Sequence, residues 1–142
     1  MAEISRSKAR TIINKIMAYG TEHKLRPLSA IVLDSGGHPK AFERADGAAP
    51  GRYVLAEGKA YGAIMMGMGG YALRQRAEEQ AYFVNSLTGV YQGKLVPVPG
   101  GVLVRDKNGN VIGAVGVTGD SSENDAAAAV AAIEAAGLTA EA

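Results

Sequence analysis

Apolar residues return every three or four positions near the start of the chain. Ala9, Ile12, Ile13, Ile16 and Met17 share one side, and Arg6, Lys8, Arg10, Asn14 and Lys15 take the other. This spacing predicts an amphipathic helix from about Ser5 to Tyr19 that ends or kinks at Gly20, followed by the polar tail Thr21-Glu22-His23-Lys24. Leu28 to Leu33 is apolar at consecutive positions and rich in branched residues, which suits a strand covered on both faces. Asp34-Ser35-Gly36-Gly37-His38-Pro39 then supplies turn chemistry, and Lys40 to Arg44 returns as the second strand of a hairpin. From Pro50 the period is helical again through Val54, Leu55, Gly58, Tyr61, Gly62, Met65 and Met66. Gly67-Met68-Gly69-Gly70 breaks it, after which Leu73, Ala77, Ala81, Val84 and Leu87 predict a helix from about Tyr71 to Leu87.

The stretch from Leu95 to Asp125 organises the rest. Two apolar runs, Val102 to Val104 and Val111 to Val117, flank Asp106-Lys107-Asn108-Gly109-Asn110, whose Asn-Gly step accepts positive φ and so predicts a tight β-hairpin. Pro97 and Pro99 deny backbone donors, so the chain enters this hairpin from an extended arm, and a lone short strand near Leu95 is expected to join the sheet. Past the second strand, Gly116-Val117-Thr118-Gly119-Asp120-Ser121-Ser122 turns into a helix that Asp120, Ser121 or Ser122 can cap, that Glu123 or Asp125 suits electrostatically, and that stops at Gly137. Strands that come in hairpins, alternating with helices, predict an α/β fold of the α+β kind: a mainly antiparallel sheet of about five strands covered by helices.

At 142 residues the whole chain, 1–142, fits one domain with a real core. A net charge of +1 and an aromatic content of 6% give neither the electrostatic footprint nor the stacking platforms of a nucleic-acid binder. Zero cysteines exclude a disulfide framework, a zinc ribbon and thiol chemistry. No run approaches a membrane span, and Met1 to Gly20 lacks the apolar core and cleavage site of a secretory signal, so the expected location is cytoplasmic with no membrane partner.

The candidate chemistry is cationic and glycine-rich. Gly58 and Gly62, four apart, bare one side of a helix, and Gly113 and Gly116 lie inside a strand. Such positions serve either close packing or a flat ligand laid against bare backbone. Arg44 can hold a carboxylate as a planar fork or pair with Asp46. The strand, glycine turn and helix start around Gly116, Thr118 and Asp120 aim several N–H groups at one place, although Asp120 competes for them. His23 and His38 are the two histidines, one near a helix end and one in a hairpin loop.

In order, Val32-Leu33-Asp34 with Gly36-Gly37-His38, Arg44 to Ala48 (RADGA), Lys59-Ala60, Pro97-Val98-Pro99-Gly100-Gly101-Val102, and Ile112-Gly113-Ala114-Val115-Gly116-Val117 with Gly119 and a helix make up a set spanning nearly the whole chain. In this the sequence resembles the GlcG/HbpS family of small haem-binding-like domains, which are also similar to the C-terminal domain of PduO proteins. The resemblance implies a profilin-like sandwich, homo-oligomers and, in some members, haem or iron binding. A haem would take an axial ligand from His23, His38, Thr118 or Met66. HbpS-like iron binding uses a glutamate-x-x-glutamate helix motif, which this chain lacks: Glu78 and Glu79 are adjacent, with no glutamate three positions from either.

Two functions are consistent with these residues. One is a module binding a small molecule, haem or another flat carboxylated ligand, between the glycine helix and the hairpin, with Arg44 or Lys59 taking the carboxylates, Gly58, Gly62, Gly116 and Thr118 lining the site, and His23 or His38 as metal ligand. The other is an enzyme of small-molecule catabolism, an isomerase, lyase or hydrolase, in which Arg44 and Lys59 clamp a carboxylate and Glu57 or Asp120 moves a proton. General-base work needs a carboxylate near an apolar wall, and Glu57 beside Leu55 and Tyr61 is expected to qualify. No triad, metal-ligand spacing or phosphate loop accompanies them. An oligomer-forming role without a ligand is the third course.

Overall fold

The computed structural model describes residues 3–142. Helix α1 (Arg6–Glu22) leads into the hairpin β1 (Ser29–Asp34) and β2 (Pro39–Arg44); helices α2 (Arg52–Met66), α3 (Gly70–Glu79) and α4 (Ala81–Val90) follow. The second hairpin is β3 (Gly101–Arg105) and β4 (Val111–Thr118), then come helix α5 (Ser122–Ala135) and strand β5 (Thr139–Glu141). The strands form one open sheet in the order β2-β1-β4-β3-β5, antiparallel throughout. This is the expected α+β architecture. No helix among the described residues is long and apolar enough to cross a membrane.

The consecutive apolar positions of the inner strands are explained by two cores. Ala30, Val32, Val102, Val104, Val115 and Val117 face Ile12, Ile13 and Ile16 of α1 and the alanine-rich side of α5. Their neighbours Ile31, Leu33, Leu103 and Ala114 point the other way, onto Ala56, Ala60 and Ala63 of α2. A strand sandwiched between helices has no polar face to alternate with, so the period of two disappears from its hydropathy.

Both hairpins turn on the same device. Asp34 Oδ1 accepts from the N–H groups of Gly36 and His38, each at 2.9 Å, and Asp106 Oδ1 accepts from those of Asn108 and Asn110, each at 2.9 Å. The left-handed residue that closes each loop is a glycine, Gly37 at φ 87° and Gly109 at φ 83°.

Helix α1 continues through Gly20 to Glu22 rather than ending there, and two larger details depart from the sequence reading. The helix expected over Tyr71 to Leu87 breaks at Gln80, which leaves helical geometry at φ −133°, ψ 58°. There the Arg76 guanidinium donates to Gln80 Oε1 at 2.7 Å and stacks 4.4 Å from the Phe83 ring centroid, so the corner is held by side chains that periodicity does not register. The extra strand is β5 at the far edge of the sheet. The segment around Leu95 remains irregular and lies along α2 instead, where the Val96 N–H donates to the Gly58 carbonyl at 3.1 Å.

Helix α2 packs on the sheet at backbone contact. A Cβ on Gly116 would collide with the Ala56 carbonyl oxygen, and one on Gly101 with the carbonyl of Lys59. In both cases the obstacle is helix backbone, which cannot swing aside as a side-chain tip can. Gly116→Ala is therefore expected to cost about 1–3 kcal/mol or more through overpacking, read as a lower urea midpoint. An unchanged midpoint would mean that α2 rides on the sheet more loosely than described.

Candidate functional site

At one end of the sandwich β1 begins while β2 and β4 end, and at that end α1 stops and α2 and α5 start. Half of the expected site residues lie at this end: His23, Arg44, Thr118 and Asp120, with Lys59 reaching in from α2. His38 does not join them. It sits in the β1–β2 turn beyond the opposite end of β1, which at six residues spans on the order of 20 Å, so the two histidines cannot share one metal ion within a chain.

Side chains on the α2 face of this end form a polar row. Ser29 lies in register between Arg44 on β2 and Thr118 on β4. By the strand period all three point the same way as Ile31, Phe42 and Gly116, toward α2. The row is met by Arg52, whose Nη1 donates to Thr118 Oγ1 at 2.9 Å. Sequence reasoning missed Arg52. The available signal was its place on the inward stripe of α2, four residues before Ala56 and eight before Ala60.

Lys59 is only 5% exposed, and its Nζ donates to the Val117 carbonyl at 3.0 Å and to Asp125 Oδ2 at 3.2 Å. Asp125, 1% exposed, accepts at its other oxygen from the Asp120 N–H at 2.9 Å. Burial pushes the Lys59 ammonium below its ordinary range against the pull of Asp125, and burial likewise pushes the Asp125 carboxyl up. The pair ties α2 to β4 and α5. A lysine enclosed in this way cannot clamp a carboxylate arriving from outside, which corrects the expectation that Lys59 is a ligand or catalytic group.

Asp120 is likewise occupied. Its carboxylate accepts from the N–H and Nε of Arg26, the N–H of Ser121 and the Nδ2 of Asn124, at 2.8–3.4 Å. The bond from Asn124 and the backbone bonds from Arg26 and Ser121 hold it well below the usual carboxylate range, so it stays ionised and carries no proton to transfer. Glu57 is half-buried and accepts from the Tyr53 hydroxyl at 3.3 Å, while burial first, and then Glu57, push that hydroxyl's pKa up. Of the two neighbours expected to wall Glu57, Tyr61 packs against the core but Leu55 is 39% exposed, so the apolar wall is one-sided.

The glycines serve packing. The space beside Gly58 is taken by Val96 and the Lys94 carbonyl, that beside Gly62 by Leu95 and Leu73, and that beside Gly116 by α2 itself. No ligand lies flat between the glycine helix and the hairpin, because the chain's own backbone is there. Arg44, exposed at the end of β2, forms no ion pair with Asp46 or any other carboxylate among the described residues.

His23 caps the C-terminus of α1. Its Nδ1 lies 3.0 Å from the Tyr19 carbonyl oxygen, and its ring stacks on that of Tyr19 at 3.8 Å between centroids and 18° between planes. A carbonyl only accepts, so in the neutral ring Nδ1 carries the proton and Nε2 presents its lone pair. Nearby, the last turn of α1, the Leu25–Leu28 connection and Ala45 surround a cavity of about 130 Å³. Tyr19 also borders a groove of about 210 Å³ between α1 and α5, floored by Ala131, Ala132 and Ala135 with Lys15 at its rim. His38 instead rests 3.5 Å from Asp34 Oδ1 as part of its turn. Among the described residues no three His, Asp or Glu side chains gather into a metal site.

The model of a family described as haem degrading protein HbpS-like matches residues 4–134. No curated protein matches the chain. Among solved structures, a PduOC–haem complex superposes with a TM-score of 0.86 at 23% identity, covering 99% of this chain and 99% of that one. Klebsiella pneumoniae protein ORFY gives 0.83 at 25% identity, covering 94% and 90%, and HbpS gives 0.81 at 24% identity, covering 95% and 90%.

The buried pair makes a double-mutant test possible. Lys59→Ala or Asp125→Ala alone strands a buried charge and is expected to cost about 3–5 kcal/mol in urea unfolding, whereas Lys59→Met with Asp125→Asn loses less than either. The pair also has a pH signature. The folded state keeps the Asp125 proton longer than the unfolded state does, so stability relative to the neutral double variant falls as pH rises above the ordinary aspartate value of 3.8. It recovers as pH approaches the ordinary lysine value of 10.5, because the folded state releases the Lys59 proton sooner. A pH-independent difference between the two proteins would contradict the buried ion pair.

Proposed function

The chain belongs to the haem degrading protein HbpS-like family, and from that premise we propose that it is a haem-binding domain in which His23 provides the axial ligand. The observation that carries this is the contact of His23 Nδ1 with the Tyr19 carbonyl. An imidazole whose Nδ1–H is held by a backbone carbonyl presents Nε2 to a metal in the favoured orientation, and the Tyr19 stack keeps the ring from rotating away. His23 is exposed, so a ligand reaches it without unfolding anything. Haem, when bound, supplies an iron that changes oxidation state and takes small ligands.

The surroundings favour a flat guest shared between copies. Alanines flooring the α1–α5 groove leave a surface low enough for a planar macrocycle, and Lys15 at the rim suits a carboxylate. Pockets that enclose a drug-sized ligand occupy roughly 300–1,000 Å³, whereas the cavity of about 130 Å³ and the groove of about 210 Å³ each offer less. One chain therefore supplies one wall, and a second copy of the chain closes the site in a homo-oligomer. That a PduOC domain of the same fold has been crystallised with haem supports this reading.

Titration with haemin tests it. The expected result is a saturable Soret shift at one haem per chain or per pair of chains, lost in His23→Ala and retained in His38→Ala, with the assembled species favoured by haem in sedimentation. A Soret response that survives His23→Ala unchanged would remove His23 from the site.

A further inference from the structure

We propose that the polar row beneath the first turn of α2 is a carboxylate-binding site, in which the guanidinium groups of Arg44 and Arg52 hold the anion above Ser29 and Thr118. It stands on residues other than those of the haem reading and does not depend on it.

Charge balance is the first observation. At this end of the sheet Arg26 is neutralised by Asp120, and Lys59 by Asp125. Arg44 and Arg52 have no carboxylate partner among the described residues, and Arg52 is close enough to Lys59 for its charge to weigh on the lysine. Position is the second. Neighbouring strands lie about 4.8 Å apart, so Arg44 and Thr118, two strands from each other across Ser29, have backbones separated by about 10 Å. Arg52 Nη1 already sits on Thr118 Oγ1, so an Arg44 side chain extended along the row brings the second fork to the same place. Two planar forks converging in this way match the lone pairs of a carboxylate.

The third observation is Ser29. Its Oγ is buried without a hydrogen-bond partner, alone in this among the buried side-chain polar atoms of the described residues. A hydroxyl left so costs free energy that a natural sequence seldom carries without a use. Cross-strand pairs hold their Cβ atoms about 4.5–5.5 Å apart, so Ser29 sits directly beside Thr118, the residue that Arg52 bonds. When Arg52 turns from Thr118 to an anion, that hydroxyl gains an acceptor.

The test uses succinate and propionate as probes, propionamide as the neutral control, and the NMR signals of the arginine Nε–H groups as readout. Saturable shifts at Arg44 and Arg52 with the acids and none with the amide are expected. Arg44→Gln and Arg52→Gln should each weaken binding about tenfold or more, with Arg52→Lys in between. Ser29→Ala should raise the thermal midpoint of the free protein while weakening the acid, a combination that a purely structural serine would not give. Haemin and its dimethyl ester separate the two sources of carboxylate: weaker binding of the ester assigns the site to the haem's own carboxylates, and equal binding beside saturable succinate assigns it to a free acid. Absence of saturable shifts, or succinate affinity unchanged in Arg44→Gln, overturns the proposal. Because Arg44 is exposed, its variant decides the matter even if the Arg52 variant folds poorly. Failure of haemin to bind leaves these outcomes readable.

Discussion

Helix α2 lies against the sheet at backbone distance, and the rest of the structure follows from that. Gly116 and Gly101 remove the side chains that would hold the helix off, and alanines at 56, 60 and 63 complete the contact on the helix side. A helix set this close carries whatever else is on its inner stripe into the protein. Lys59 is on that stripe, and its ammonium is accommodated only because Val117 offers a carbonyl and α5 offers Asp125. Arg52, at the first turn of the same stripe, emerges where the sheet ends, so its charge reaches the surface and remains available. Packing thus sorts two cations on one helix face into a structural one and a free one.

The same sorting divides the carboxylates. Asp120 and Asp125 flank the start of α5, and the first supplies its N–H to the second while Arg26 and Lys59 occupy their outer oxygens. Acid–base chemistry needs a proton held near neutrality, and the donors around Asp120 fix it as an anion instead. An enzyme built on these two carboxylates would have to give up the joint between α5, β4 and α2. The groups that remain unspent at this end of the fold, His23 Nε2 and the two arginines, are suited to holding a ligand.

Much of this is legible in the sequence. The Asn108-Gly109 step placed the β3–β4 turn, the consecutive apolar runs placed strands covered on both faces, and Ser121 does cap α5, its Oγ accepting from the Asn124 N–H at 3.1 Å. Other features were hidden for physical reasons. A glycine marks that something comes close but not what, so Gly58 and Gly62 read equally well as a ligand shelf and as a seat for Leu95 and Val96. The pairing of Lys59 with Asp125 joins residues 66 positions apart, and nothing local in either segment announces it. The corner at Gln80 is made by Arg76, Gln80 and Phe83, polar and stacking contacts that leave the apolar period of the helix undisturbed.

What periodicity did contain, unread, was Arg52. Written as an amphipathic helix, α2 has Arg52, Ala56, Ala60 and Ala63 on one side, and an arginine in a row of alanines has two physical meanings: an error of phase or a charge led deliberately to the edge of a core. The register of β1 with β2 and β4 separates them, because it sets Arg44, Ser29 and Thr118 in line beneath that first turn. An isolated guanidinium at a core's edge is common enough to be left to solvent. A second guanidinium on the same row, and a sealed hydroxyl with nothing to bond between them, turn the edge into a place where an anion would satisfy groups that the chain itself leaves unsatisfied.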